Sequence, residues 1–184
     1  AAPTTWYRDM DGDSFGNLAV TQLACTQPTG YVANSTDCND NNAAIKPGAT
    51  EVCDGVDNDC DGSTDEGVLT TWYRDMDGDT FGNLAVTQQA CAQPTGYVAN
   101  STDCNDNNPL EKPGQVWYRD TDNDGYAQSG SALTQCSRPV GYKVAGELTA
   151  TSGDCNDNAP NVNPGATEIC DGQDNNCNTI TDEN

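Results

Sequence analysis

The chain has 184 residues, with 29 acidic against seven basic side chains, a formal charge of −22, 34% hydrophobic residues and no His. This balance argues against a nucleic-acid partner, whose phosphates need Lys and Arg. The missing His removes Ser-His and Cys-His nucleophile systems and any His-ligated zinc or copper site.

Composition alone leans toward disorder. Against that stand ten cysteines, which in a polar, loop-rich chain read as a disulfide framework and an oxidising, extracellular setting. With no initiator Met and no signal peptide, a mature or excised form is expected. No apolar run approaches the roughly 20 residues of a membrane span.

In chain order, "TWYR" from Thr5 reads as a short strand, followed by Asp9-x-Asp11-x-Asp13. "LAVTQLAC" reads as a second strand, and "QPTGY" and "KPGA" supply Pro and Gly where turns want them. "DCNDNN" then offers Asp37, Asn39, Asp40 and Asn41. "CDGVDNDCDGSTDEG" follows, with Asp54, Asp57, Asp59, Asp61, Asp65 and Glu66. From Thr71 a 38-residue segment repeats the one at Thr5 with three differences, bringing Asp75, Asp77, Asp79, Asp103, Asn105, Asp106 and Asn107. Its "KPGQ" leads straight into Trp117, so this copy lacks the second half. A diverged third copy begins at Val116 and carries Asp120, Asp122, Asp124, Asp154, Asn156, Asp157, Asn158, Asp171, Asp174, Asn176 and Asp182. The predicted organisation is therefore three tandem repeats, 1–70, 71–115 and 116–184, mainly irregular with short β-strands and stabilised by disulfides and calcium.

The shortened copy loses two cysteines together, which predicts local pairing: Cys25–Cys38, Cys53–Cys60, Cys91–Cys104, Cys136–Cys155 and Cys170–Cys177. Trp6, Tyr7, Phe15 and Tyr31, with their counterparts, are expected to form a miniature cluster in each copy. A sugar-binding platform is the other reading of these aromatics.

Asp57, Asp59 and Asp61 occupy positions 1, 3 and 5 of a loop with Gly62 at 6 and Asp65 at 9, the pattern by which alternate oxygens converge on calcium. Calcium takes 6–8 hard oxygen ligands in a flexible arrangement, and Asn adds carbonyl oxygens without charge. Eight acidic loops with one ion each would bring the charge to about −6. No loop has Glu at position 12, so further ligands are expected from Asp40, Glu51 or Glu66. Asn176, Asn178 and Thr179 replace Asp59, Asp61 and Gly62, so the last site is expected to be weaker or absent.

"DCNDNNAAIKPGATEVCDGVDNDCDGSTDEG" resembles the MopE-type metal-binding repeat of bacterial surface and secreted proteins, and the Asp-x-Asp-x-Asp-Gly rhythm is similar to thrombospondin type 3 repeats. The resemblance implies an extracellular location, bound calcium, local disulfides and little regular structure. It places ligands at Asp37, Asn39, Asp54, Asp57, Asp59 and Asp61 and at their third-copy positions. Copper, linked to this family, finds no His here.

The leading expectation is a calcium-rigidified structural repeat, the alternative an adhesin gripping a glycan or partner. Triplication argues against an enzyme. Five residues separate Glu66 from Trp72, and "TDEN" followed by another chain's "AAPTTWYRD" would place six between Glu183 and Trp6. That spacing predicts head-to-tail self-association; one long repeat chain would show the same periodicity. Asn34 and Asn100 lie in Asn-Ser-Thr sequons, for which glycosylation stays open.

Overall fold

The computed structural model describes residues 2–183. Among the described residues there are eleven strands and one turn of 3-10 helix at Ala145–Glu147. In the first repeat β1 (Thr4–Arg8), β2 (Asn17–Ala24) and β3 (Tyr31–Val32) form a small antiparallel sheet in the order β2-β1-β3. The second repeat builds the same order from β4 (Thr70–Arg74), β5 (Asn83–Ala90) and β6 (Tyr97–Val98). The third has β7 (Val116–Arg119) between β9 (Leu133–Thr134) and β10 (Tyr142–Lys143). Its β8 (Tyr126–Gln128) pairs in parallel with β11 (Ala150–Asp154). The chain is thus mainly irregular with short strands. It divides into two compact units, one up to Thr71 with Gln89–Ala92, the other Trp72–Gln88 with the chain from Gln93 on.

The strands are short because the acidic loops interrupt them. Between β1 and β2 the register shifts at Tyr7/Arg8, so residues 9–16 loop out of the hairpin. The loop returns at Gly16, where an added Cβ would meet Asn34 O at 2.7 Å, Tyr7 Cβ at 2.7 Å and Val32 Cγ2 at 2.8 Å. No side chain fits there, and that close approach seats the loop on β1 and β3. Asn34 clamps the exit: its Oδ1 accepts the Gly16 amide at 3.1 Å and its Nδ2 donates to Ser14 O at 2.9 Å. Asn100 does the same for Gly82 and Thr80.

The apolar core is small, as the composition requires. Among the described residues the buried hydrophobic side chains are Ile45, Trp117, Ala127, Val144 and Val162. Trp117 is fully covered, donates to Gln135 O at 2.8 Å, and lies under the Arg138 guanidinium at 4.9 Å. Trp6, Tyr7, Phe15 and Tyr31 are half-buried.

The disulfides overturn the local pairing. The bridges are Cys38–Cys60, Cys53–Cys91, Cys104–Cys136 and Cys155–Cys177. None closes one of the expected short loops, and Cys53–Cys91 and Cys104–Cys136 each join successive repeats. Cys25 and Cys170 are exposed. Even parity constrained the number of bridges but not their partners. The two cysteines deleted from the second copy belong to two different bridges, not to one.

Candidate metal centre

Each repeat brings two acidic loops into one cluster. In the first, Asp9 caps its own loop: Oδ1 accepts the Gly12 amide at 2.7 Å and Oδ2 the Ser14 amide at 3.2 Å. Asp11 Oδ1 accepts the Asp13 amide and Asp13 Oδ1 the Phe15 amide. Asp37 is drawn in because its amide donates to Gly16 O at 3.3 Å, and its Oδ1 accepts the Asn39 amide at 2.7 Å. Asp11, Asp13 and Asp37 thus each use one carboxylate oxygen on the backbone, and their Oδ2 atoms are buried with no hydrogen-bond donor. Asp9, Asp11 and Asp13 offer carboxylate oxygens within 4.8 Å of one another.

The second repeat reproduces this with Asp75, Asp77, Asp79 and Asp103, the last three again leaving buried, unpartnered Oδ2 atoms. In the third, Asp122, Asp124 and Asp154 do the same, but Asp120 also meets Lys143 Nζ at 2.8 Å. Lys143 stands where the other copies have Val32 and Val98, so one site carries a built-in cation.

The electrostatics fit a missing counter-charge. Burial pushes the Asp37 carboxyl above the usual range, and the Asp13 and Asp11 charges add to it despite the Asn39 amide. Asp77, Asp122 and Asp154 are raised for the same reasons, burial first and then neighbouring carboxylates.

Asp40 folds onto the first loop but is held by protein groups. Its carboxylate, 1% exposed, accepts Arg8 Nη2 at 2.9 Å and the Met10 amide at 2.7 Å. Asp106 takes Arg74 and the Met76 amide. Asp157 takes Arg119 and the Thr121 amide. For Asp106 burial acts upward, but the Met76 amide and Arg74 outweigh it and hold its carboxyl low. These three aspartates are positioning residues that pin the "DCND" turn beneath the strand arginine. The side chains of Asn39, Asn105 and Asp103 order the same turn by accepting backbone amides, while Asn41, Asn107, Asn156 and Asn158 lie at its edge, the exposed ones facing solvent.

The second-half loop has a different frame. Glu51, buried, accepts the Asn58 and Asp59 amides on Oε1 at 2.7 and 3.0 Å and the Asp65 amide on Oε2 at 2.8 Å. Asn58, also buried, accepts the Val52 amide. Around this frame Asp57 caps Asp61 and Gly62, while Asp59 and Asp61 accept the Asp61 and Ser63 amides. Asp59, Asp61 and Glu66 carboxylates lie within 4.8 Å of one another, as do Glu51, Asp57 and Asp59. Glu66 Oε2 is buried and unpartnered. Its own backbone amide pulls the Glu66 carboxyl down, but burial and Glu51, Asp61 and Asp59 leave it raised.

Asp65 and Asp54 do not join this cluster: Asp65 Oδ1 accepts the Asp54 and Gly55 amides, and Asp54 Oδ1 the Val56 amide. In the third repeat Asp182 and Asp171 play those parts. There Asp174 keeps its capping role for Asn178 and Thr179, but Asn176 and Asn178 turn their Nδ2 groups onto Glu183 Oε1. Asparagine amides thus sit on the glutamate where the first repeat leaves carboxylates unbalanced. Glu168 supplies the frame, accepting the Asn176 and Asp182 amides. The framing role of Glu51 and Glu168 and the place of Glu183 escape a search for Asp-rich spacing. Their signal is the repeated "PGATE" and the final "DE" of both second halves.

The eight loops are thus not eight sites. The first and second loop types of each repeat share a cluster, which gives three, and the second half of the first repeat adds a fourth. All donors are carboxylate or amide oxygens. Two oxygens on one calcium at roughly 2.4 Å each lie at most about 4.8 Å apart, so the observed convergence fits a hard divalent cation.

No curated protein and no solved structure matches the chain. Among the described residues no helix is long and apolar enough to cross a membrane. The family model Cu-binding MopE, described as a "putative metal-binding motif", matches residues 37–66, 103–118 and 154–183. The first and third matches run from the Asp37 or Asp154 turn through the whole second half, and the middle one stops where the second copy is cut short. Three segments of the chain, in series, are thus similar to that "putative metal-binding motif".

Proposed function

We propose that the chain is an extracellular calcium-binding structural repeat protein whose copies associate head to tail. The observation that carries the calcium reading is the set of buried, unpartnered carboxylate oxygens, which falls on the loop clusters of all three repeats. A buried ionised oxygen without a donor is costly unless a cation supplies the missing partner. The donor set is hard oxygen throughout, which suits calcium and not copper, whose sites favour imidazole and sulfur. The bridges support an oxidising, extracellular setting, and triplicated sites suit a scaffold better than a single active centre.

The test is thermal melting in calcium, in chelator and in copper(II), with electron microscopy of the calcium form. Calcium is expected to raise the midpoint and give fibres. A chelated protein that melts where the calcium form does would sink the calcium reading. A monodisperse monomer at high concentration in calcium would sink self-association.

A further inference from the structure

The three first-half clusters share a plan but not a charge. In the first two repeats the leading aspartate of the triplet gives both oxygens to its own loop. Asp9 Oδ1 and Oδ2 accept the Gly12 and Ser14 amides, and Asp75 Oδ1 and Oδ2 the Gly78 and Thr80 amides. In the third repeat Asn123 stands at the Gly12 position, and Asp120 takes a loop amide on Oδ2 alone, from Gly125 at 3.2 Å. That same oxygen meets Lys143 Nζ at 2.8 Å, and Asp120 is 1% exposed. Its Oδ1 is buried without a donor, as are the Oδ2 atoms of Asp122, Asp124 and Asp154. The strand arginine is common to all three repeats, paired with Asp40, Asp106 or Asp157. Lys143 is an addition to it, at the position that Val32 and Val98 hold in the other copies.

We propose that Lys143 is a positioning residue that serves the third cluster as a permanent counter-ion: it keeps that cluster closed without metal and makes it the last of the three to take calcium. This rests on the calcium reading above. Ionised carboxylates gathered in a buried cluster repel one another, and an ammonium in contact with one of them offsets part of that repulsion. In the first two repeats only the bound ion can do so. The same ammonium repels an arriving dication and holds one oxygen of Asp120, so it also weakens calcium binding, by about tenfold. Lys143 therefore trades affinity for metal-free order, and the ions fill the first two repeats before the third.

The experiment follows hydrogen exchange along the 184-residue chain, disulfides intact, first in chelator and then through a calcium titration. The reporters are the Phe15, Phe81 and Tyr126 amides, which the third aspartate of each triplet accepts. In the wild type Tyr126 is expected to be the best protected of the three in chelator and to respond last, at about tenfold higher free calcium. Lys143→Met should lower the protection of Tyr126 in chelator and bring its calcium midpoint down to that of Phe81, while Lys143→Arg should keep the wild-type behaviour. The opposite signs matter, because a side chain that only packs would lose protection and calcium binding together, and that result overturns the proposal. An unchanged midpoint in Lys143→Met overturns it too. Should that variant fail to fold, Val98→Lys carries the test: the Phe81 midpoint is expected to rise about tenfold with that of Phe15 unmoved, and no rise overturns the proposal. One common midpoint for all three wild-type reporters defeats the role of Lys143 and leaves the calcium reading standing. No calcium response at any reporter defeats both.

Discussion

Replacing Glu51 by Gln tests whether the second-half loop is framed by a buried carboxylate or merely crowded by one. Glu51 accepts three backbone amides, from Asn58, Asp59 and Asp65, at 2.7, 3.0 and 2.8 Å. Hydrogen bonds to a charged group contribute about 1.5–3 kcal/mol each. Gln keeps one oxygen for the Asn58 and Asp59 amides and turns an NH2 group toward the Asp65 amide, so one bond is lost and two donors face each other. The expected loss is about 2–4 kcal/mol, at 1.4 kcal/mol per tenfold a drop of about 30- to 700-fold in local amide protection. Hydrogen exchange in chelator reads it residue by residue and does not depend on two-state unfolding of the whole chain. The Asn176 and Asp182 amides, framed by Glu168, serve as an internal control and are expected to stay protected. If Glu51 mainly repels Asp57 and Asp59, its neutralisation should stabilise the metal-free loop. Protection of Asn58 and Asp65 equal to or above that of the parent would therefore refute the framing role.

Arg74→Gln leaves Asp106 buried without its cation and should cost about 1–3 kcal/mol, between the surface and buried limits for an ion pair. NMR titration should show the Asp106 carboxyl, now held low, moving back up; an unchanged value would remove the arginine from the explanation. In chelator, Asp37, Asp77, Asp122 and Asp154 have carboxyls raised above their ordinary value. The folded state then binds more protons than the unfolded one between the two values, so stability contributed by these groups is present at low pH and lost as pH rises through the folded values. The contribution of these groups to the stability of metal-free protein should therefore fall as pH rises from the acid side toward neutrality, and a monotonic rise toward neutral pH in chelator would count against the clustered charges. Asn176→Asp with Asn178→Asp and Thr179→Gly restores the first repeat's second-half loop in the third. Calorimetry should show one more calcium ion per chain, and unchanged stoichiometry would mean that those asparagines do not weaken the site.

The strands and the metal loops are legible in the sequence because both follow from local pattern. "TWYR" and "LAVTQLAC" emerge as β1 and β2, and the Asp9-x-Asp11-x-Asp13 and Asp75-x-Asp77-x-Asp79 triplets each bring their carboxylate oxygens together. What could not be read is the long-range pairing. Asp40 is as acidic as Asp37, and only the placement of Arg8 across the sheet separates a positioning carboxylate from one with an unpartnered oxygen. Spacing likewise suggests Asp65 as a ligand at position 9, yet the chain bends there, with φ 57° at Asp65, and the carboxylate goes to the Asp54 and Gly55 amides while Glu66 turns inward. Neither choice is encoded in nearest neighbours.

The shortened second repeat shows how the cross-links define the building block. In an intact repeat the second half sends one cysteine back, Cys60 to Cys38, and one forward, Cys53 to Cys91. Deleting that half removes one partner from each of two bridges. The two cysteines left over, Cys104 and Cys136, are bonded to each other, and the sequence separation they close is 32 residues, between the 22 and 38 of the bridges they replace. Covalent continuity from repeat to repeat therefore survives the deletion. So does the first cluster: Asp75, Asp77, Asp79 and Asp103, with the Arg74–Asp106 pair that seats them, all lie outside the missing segment. The second half is thus a separable insert that brings its own frame, its own acidic cluster and one end of each of two cross-links. The first half alone is the minimal link in the series.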